Sequence, residues 1–230
     1  MPDEPLTLPG VDLPLVLRRS ARAQRITLKV DPAGALLRVT APPKVRLAEI
    51  ARFVARHVPW AEARLARLPA PVPFADGAVV PILGAPHRIR HEPQGRGAVR
   101  RQDGTLVAGG RAEHLARRVT DYLKAEALNQ LRPRAAVRAD RLGVRVSHVG
   151  VRDTRTRWGS CSRAGRLSFS WRLVLAPEPV LDYVVAHEVA HLVEMNHSPR
   201  FWALVRRLEP QMDAARTWLK LHGGGLHRYG

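Results

Sequence analysis

Apolar and polar residues alternate along much of the first hundred positions, and this period of two is typical of β-strands. Apolar positions 26, 28 and 30 alternate with Thr27 and Lys29, so residues 15–40 predict a β-hairpin or meander. Helical spacing of Ile50, Val54 and Val58 then predicts a helix over residues 47–68, either continuous or broken at Pro59. Further strands, separated by turns that contain glycine or aspartate, are predicted over residues 78–83, 86–90, 98–101 and 105–107.

The second half of the chain has helical periodicity on both sides of a short β region. Residues 111–131 predict a long amphipathic helix that Pro133 ends or kinks. A helix begins near Pro177 and is followed by two short helices and a flexible glycine-rich tail. Strands are predicted over residues 144–148, 149–157 and 166–175, the last two paired around a turn at 162–165.

These elements predict an α+β protein. A β-rich N-terminal region with one helical segment covers residues 1–110, and a second domain covers residues 111–230. The chain carries 38 basic and 20 acidic residues, a net charge of +18. This excess indicates a polyanionic partner such as nucleic acid, or acidic substrates. A G+C-rich genome is the alternative explanation, because lysine occurs only four times while arginine is abundant.

The sequence predicts a cytoplasmic protein. It contains no run of about twenty apolar residues, so no membrane span is expected. Residues 1–10 contain acids and prolines instead of a basic segment before an apolar core, so no signal peptide is expected. Cys161 is the only cysteine, which excludes an intramolecular disulfide and fits a reducing compartment.

The candidate chemistry lies in the pattern H-E-x-x-H, formed by His187, Glu188 and His191. On a helix the two histidines lie one turn apart on one face, so both imidazoles can reach one metal ion. Glu188 lies about 100° further round the helix, close enough to contact a water on that metal. Apolar residues surround the motif, and burying two histidines and a carboxylate is costly unless they are paired or metal-bound. A metal site is therefore favoured over a solvated helix face.

A catalytic zinc site needs three protein ligands and one open position. His197, six residues after His191, is the favoured third ligand, with Glu209 on a downstream helix as its rival. A glycine often breaks the helix between the second and third histidines, but Glu194 occupies that position here. We expect the break at Asn196, because asparagine tolerates the left-handed conformation at a helix end. Ser198 and a following proline then cap the next helix.

Other polar residues have weaker claims to function. Arg157 and Trp158 lie on a strand segment that predicts a substrate-facing edge, or equally a turn held by an arginine–tryptophan stack. Cys161 is expected to be a small buried thiol. Asp182 and Glu194 flank the motif as partners of a ligand imidazole or as surface ion pairs. A second metal at His87 and His91, and any role for His222 and His227 in the tail, are disfavoured.

Four segments together resemble the YgjP-like zinc metallopeptidases, relatives of the SprT and Spartan proteases. They are Thr156–Ser162, Leu167–Leu173, the H-E-x-x-H helix, and Asn196–Trp202. The resemblance implies a minimal zincin-like domain of a helix, a short antiparallel sheet and a metal-binding helix. It also implies His187, His191 and His197 as zinc ligands and Glu188 as catalytic base. It does not settle a substrate.

Three functions follow as hypotheses. The first is a zinc metallopeptidase in which Glu188 deprotonates a zinc-bound water that attacks a peptide carbonyl. The second is a nucleic-acid-associated, Spartan-like protease that acts on DNA-bound proteins, with Arg155, Arg157, Arg163 and Arg166 as candidate nucleic-acid contacts. The third is a structural zinc module without turnover, which would have no need of Glu188.

Overall fold

The computed structural model describes residues 4–31, 36–66, 70–95 and 97–230. The chain divides into two compact units, Met1–Pro71 and Val72–Gly230, each with its own hydrophobic core. Within the described ranges, no helix is long and apolar enough to span a membrane. The mixed composition of small sheets and five α-helices confirms the predicted α+β class.

The first unit is a four-stranded sheet covered by one helix. Its elements are β1 (Glu4–Leu8), β2 (Val11–Arg19), β3 (Thr27–Asp31), β4 (Leu36–Ala41) and α1 (Leu47–Ala66). The strand order is β1-β2-β4-β3, with β2 and β4 parallel, so the predicted hairpin is part of a larger sheet. Leu37 and Val39 on β4 are fully buried, as are Ile50 and Val54 on α1. Pro59 lies inside α1 and does not break it.

A second four-stranded sheet opens the larger unit. It contains β5 (Val79–Ile82), β6 (Ala85–Glu92), β7 (Val99–Gln102) and β8 (Thr105–Gly109), in the order β5-β6-β8-β7. All four strands were predicted from the sequence. The predicted domain boundary lies between residues 110 and 111, whereas the structure divides the chain after Pro71. The physical reason is packing, because Ile82, Ile89 and Leu106 are buried in the same core as the C-terminal helices.

The long helix α2 (Leu115–Arg141) extends ten residues beyond its predicted end. Pro133 lies inside it and is exposed, so the missing backbone donor lies on the solvent side. Leu131 and Ala135, on the opposite side, are fully buried. Tertiary packing of this apolar face therefore outweighs the local preference of proline to end the helix.

A three-stranded sheet follows, formed by β9 (His148–Arg152), β10 (Gly159–Cys161) and β11 (Arg166–Ser170) in the order β10-β11-β9. The predicted pairing of residues 149–157 with 166–175 is wrong in direction, because β9 runs parallel to β11. The antiparallel partner of β11 is the shorter β10, which leaves β10 as an edge strand. The predicted strand at 144–148 is not formed, and Trp171–Leu175 is a 3-10 helix.

Three helices complete the unit: α3 (Glu178–Ala190), α4 (Pro199–Leu208) and α5 (Met212–His222). Helix α3 is buried on nearly all sides and contacts α2, α4, α5 and β10. The predicted flexible tail is instead a 3-10 helix, Gly223–Arg228, in which Leu226 is buried. Tyr229 forms a bridge with Val72, so this segment is part of the packed unit.

Candidate metal centre

The end of α3 brings three histidines together. His187 lies in the last turn, His191 directly follows the helix as its C-cap, and His197 precedes α4. One ring nitrogen from each lies within 4.8 Å of the others, and this is the group that could hold a metal ion among the described residues. The structure thus brings all three predicted ligands into one cluster.

The chain reverses between His191 and His197 by a route that differs from the prediction. Helix α3 ends at Ala190, and its last carbonyl groups accept i→i+3 bonds, including Val193 N to Ala190 O at 3.1 Å. Asn196 does not adopt the left-handed conformation expected of it. Its side chain accepts a hydrogen bond from Ser198 N (2.9 Å) instead, so a tightened last turn and an asparagine turn replace the left-handed cap.

The predicted cap of α4 is confirmed. The Ser198 hydroxyl accepts a hydrogen bond from Phe201 N at 3.2 Å, and Pro199 is the first helical residue. Phe201 is fully buried, and its ring centroid lies 4.9, 4.4 and 4.8 Å from those of His187, His191 and His197. Sequence reasoning missed this role, although the capping pattern after His197 is the signal that places Phe201 one turn into α4.

The histidine geometry fits a zinc ion. The Nε2 atoms of His187 and His197 are 3.1 Å apart. Two nitrogens that share one tetrahedral zinc are about 3.3 Å apart, from bond lengths of about 2.0–2.1 Å. His191 Nδ1 lies 3.0 Å from the Glu194 carbonyl oxygen, and a proton held there leaves Nε2 free as a ligand. His187 Nδ1 is buried, and no described residue forms a hydrogen bond with it.

The electrostatics also favour neutral imidazoles, the form that binds metal. Burial, together with the neighbouring His191 and His197, lowers the pKa of His187 to about 4. Burial likewise lowers the pKa of His191. Both rings are therefore neutral at pH 7 before any metal binds.

Glu188 lies beside this cluster and is 5% exposed. Burial raises the pKa of its carboxyl group to about 7, against a smaller opposing effect of the Arg157 guanidinium. The backbone of Gly159 on β10 is packed directly against this side chain. Burial, followed by the charge of Glu188, raises the pKa of the half-buried Cys161 thiol to about 11. The raised pKa disfavours the thiolate, which is the nucleophilic form of cysteine.

The rival ligand Glu209 is engaged elsewhere. Its carboxylate lies 3.1 Å from Arg138 Nη2, which in turn lies 2.8 Å from Asp182. Asp182 also pairs with Arg134 at 3.2 Å. These ion pairs join α2 to α3 and α4. Of the two roles expected for Asp182, the structure thus shows the ion pair. Glu194 contributes its backbone carbonyl, not its carboxylate, to His191.

The other histidines have protein partners. His87 is buried, with Nδ1 at 2.8 Å from Ala85 O and Nε2 accepting from Arg101 Nε at 2.8 Å, so its ring is not a surface group. His91 Nε2 contacts the Gly110 carbonyl oxygen, at a distance of 2.5 Å. Neither ring contributes to a metal cluster within the part of the chain that the structure describes.

Arg157 and Trp158 have different surroundings. Arg157 is exposed and close enough to Glu188 to act on its pKa. Trp158 is half-buried and stacks on His227, with ring centroids 5.1 Å apart, so His227 is not a solvent residue. Gly223 also packs against the indole. Trp158 therefore anchors the C-terminal segment to the strand region.

A cleft of about 510 Å³ opens beside His191. It is lined by the segment that follows α2, the turn between β10 and β11, and residues 191–195. Arg163, one of the four arginines proposed from the sequence, lies on its wall. Arg155, Arg157 and Arg166 are likewise exposed in this unit.

Comparisons with known proteins extend this description. Over 48 residues the chain is 44% identical to a UTP pyrophosphatase of Escherichia coli (strain K12), covering 19% of this chain and 29% of that protein. The chain thus matches less than a third of that relative's length. The crystal structure of the metallopeptidase zymogen of Pyrococcus abyssi abylysin aligns with a TM-score of 0.36 and 23% identity, over 40% of this chain and 95% of that chain.

A family model matches most of both units. The YgjP-like metallopeptidase domain matches residues 24–222, which include every residue of the histidine cluster and Glu188. This chain therefore belongs to the YgjP-like metallopeptidase family.

Proposed function

We propose that the protein is a zinc-dependent metallopeptidase. The observation that carries the proposal is the cluster of three histidine nitrogens within 4.8 Å, with the buried Glu188 next to it on α3. Three histidines are one of the ligand sets that hold catalytic zinc and leave a fourth position open. A structural zinc module would gain nothing from a carboxylate beside the cluster, so Glu188 favours catalysis.

The ligands would be His187, His191 and His197. Zinc, when bound there, would supply a Lewis acid that makes water more acidic and polarises a carbonyl group. Glu188 accepts the proton of the attacking water on a carboxylate oxygen and passes it to the leaving amine nitrogen as the C–N bond breaks. The position of Glu188, next to His187 on the same helix, suits both proton transfers.

The edge strand β10 is the proposed substrate-binding element. Ser170 N donates to Trp158 O (2.8 Å), and Ser162 N donates to Arg166 O (3.0 Å). In an antiparallel pair with this register, the peptide groups of Gly159 and Cys161 point away from β11, towards the open edge. An extended peptide that added to this edge would run beside Glu188.

A second candidate reaction is hydrolysis of a nucleoside triphosphate. The observation that favours it is the similarity to an E. coli protein named UTP pyrophosphatase. The exposed arginines near the cluster have the charge that a triphosphate needs. The same metal ligands and the same base would serve, with a phosphoanhydride in place of the peptide bond.

Metal analysis combined with two substrate assays tests these functions. We expect about one zinc per chain in the purified protein, largely lost in His191→Ala. A peptide library should be cleaved by the wild type and by Glu178→Gln, an exposed-carboxylate control on the same helix. Glu188→Gln should retain zinc and lose about 10²–10⁴-fold in rate. Cleavage of UTP but not peptides would transfer the proposal to the second reaction, and zinc-free protein that takes up none would remove both.

A further inference from the structure

The cleft beside His191 has walls of uniform charge. Arg145 and Arg163 both line it, and its lining contains no aspartate or glutamate. Both arginines are exposed, and among the described residues no ion pair or hydrogen bond engages either guanidinium. Two unneutralised guanidinium groups facing one cleft attract a carboxylate or phosphate, because only solvent otherwise balances their charge.

The positive charge continues away from the metal centre. A second cleft, of about 480 Å³, shares Ala164 with the first and is lined by His148 and Arg166. A third, of about 350 Å³, shares His148 with the second and contains Arg132. Together they form a basic groove that starts at His191 and extends along residues 144–148. Adjoining clefts that carry four arginines fit an extended chain better than a single ion.

The chemistry of the lining favours a peptide over a nucleic acid. Leu192 and Met195 give the first cleft an apolar side, and Met195 is 50% exposed. No phenylalanine, tyrosine or tryptophan lines any of the three clefts, whereas proteins that bind single-stranded nucleic acids stack the bases on such rings. A lining that contains both apolar and cationic residues suits a peptide that carries both apolar and acidic side chains.

We propose that this groove is a substrate subsite for acidic peptide segments, in which Arg145 and Arg163 bind glutamate or aspartate side chains next to the cleaved bond. The inference rests on the proposed peptidase function. The two arginines would determine which substrates bind and would take no part in the reaction, because they lie beside His191 and outside the group formed by Glu188 and the histidine cluster. It also gives a role to part of the +18 charge.

Binding to a non-cleaving protein tests the subsite independently of turnover. Three labelled peptides would differ only in two adjacent residues, which are glutamate, glutamine or lysine, and the pair would be scanned along the peptide. With Glu188→Gln as the background, we expect the glutamate peptide to bind about tenfold more tightly than the glutamine peptide at one position of the pair. The difference should shrink at high salt.

Charge substitutions identify the residues. Arg145→Gln/Arg163→Gln should abolish the preference for glutamate, and Arg145→Glu/Arg163→Glu should reverse it in favour of the lysine peptide. The control is Arg90→Gln/Arg100→Gln, which removes the same charge from exposed arginines beside Glu92 on the β5–β8 sheet. This control should keep the preference for glutamate. If the preference came only from the overall positive charge of the protein, the two glutamine double variants would weaken it equally.

The outcomes separate the subsite from the proposed function. Equal binding of the three peptides, or a preference that survives Arg145→Glu/Arg163→Glu, would overturn the subsite even if the wild type cleaves peptides. A preference that follows the charge substitutions supports it, whatever the turnover assays show. Tighter binding of a single-stranded oligonucleotide or of UTP, lost in Arg145→Gln/Arg163→Gln, would overturn the peptide assignment and favour a phosphate ligand.

Discussion

The backbone of Gly159 lies directly against the side chain of Glu188. A Cβ atom at position 159 would stand 2.6 Å from Glu188 Cγ, closer than any unstrained contact. The contact joins the edge strand β10 to the helix α3 and fixes the depth at which the carboxylate lies. Any larger residue at position 159 would therefore clash with Glu188. The backbone conformation of Gly159 is not the reason for glycine here, because its φ angle is not positive.

Gly159→Ala should displace Glu188, the proposed base, and reduce kcat/KM by about 100-fold, because a shift of about 1 Å in a group with that role has an effect of that size. The variant should also lose about 1–3 kcal/mol of stability from overpacking. Gly224→Ala is the matched control, since a Cβ there meets nothing within 4 Å and its φ is ordinary. Thermal unfolding and steady-state kinetics measure both effects, and wild-type kinetics in Gly159→Ala would show that the contact does not position the base.

The pKa of Glu188 predicts how the stability of the metal-free protein depends on pH. The folded chain takes up this proton near pH 7, whereas the unfolded chain does so near 4.5. Between these values the folded state binds more protons, so the contribution of Glu188 to stability rises as the pH falls from 7 to 4.5. Above pH 7 the carboxylate is charged in both states, and its burial costs roughly 3 kcal/mol.

Glu188→Gln removes this cost. We expect the metal-free variant to be more stable than metal-free wild type at pH 8, with the advantage shrinking as the pH falls and constant below about 4.5. The difference between the two proteins isolates Glu188 from His187, whose lowered pKa acts in the opposite direction by destabilising the fold as the pH falls from 6.5 towards 4. Chemical denaturation across this range is the measurement, and a difference independent of pH would contradict the buried, titrating carboxyl group.

The sequence predicts the proximity of the three histidines better than the fold that surrounds them, because the cluster is local. His187 and His191 are one helical turn apart, and the cap at Ser198 sets α4 directly after His197, so short-range rules suffice. The partners of α2 and of the β5–β8 sheet depend on packing between residues far apart in the chain. That packing carries α2 past Pro133 and joins the sheet to the larger unit, which no local pattern indicates.

The C-terminal segment illustrates the same limit. Three consecutive glycines predict flexibility from their backbone freedom alone. In the structure Leu226 is buried and His227 stacks on Trp158, so a contact with a residue some seventy positions earlier, just before β10, helps to order the segment. Its glycines allow the close approach, as Gly223 packs against the Trp158 ring.

The third ligand can be assigned by two alanine variants. His197→Ala should weaken zinc affinity by more than about 100-fold, because its Nε2 atom lies 3.1 Å from that of His187. Glu209→Ala should leave zinc affinity unchanged but lower stability, since it removes a partner from Arg138, which is largely buried. Competition with a chromophoric chelator measures affinity. Weaker zinc binding in Glu209→Ala together with normal binding in His197→Ala would reverse the assignment.

The arginines also decide whether the protein acts near nucleic acid. Arg155, Arg157, Arg163 and Arg166 are exposed, but no phenylalanine, tyrosine or tryptophan lines the groove that contains Arg163 and Arg166. We therefore expect oligonucleotide binding to be purely electrostatic, with the logarithm of affinity falling by about 0.7–0.9 per contacted phosphate for each tenfold rise in salt. Binding should be weak near physiological salt and lost when the four arginines are replaced by glutamate. A labelled oligonucleotide titrated at low and moderate salt provides the measurement.

Tight binding that persists at physiological salt and depends on these four residues would instead favour the nucleic-acid-associated protease. Salt screens interactions between exposed charges, so binding that survives it requires a dedicated interface.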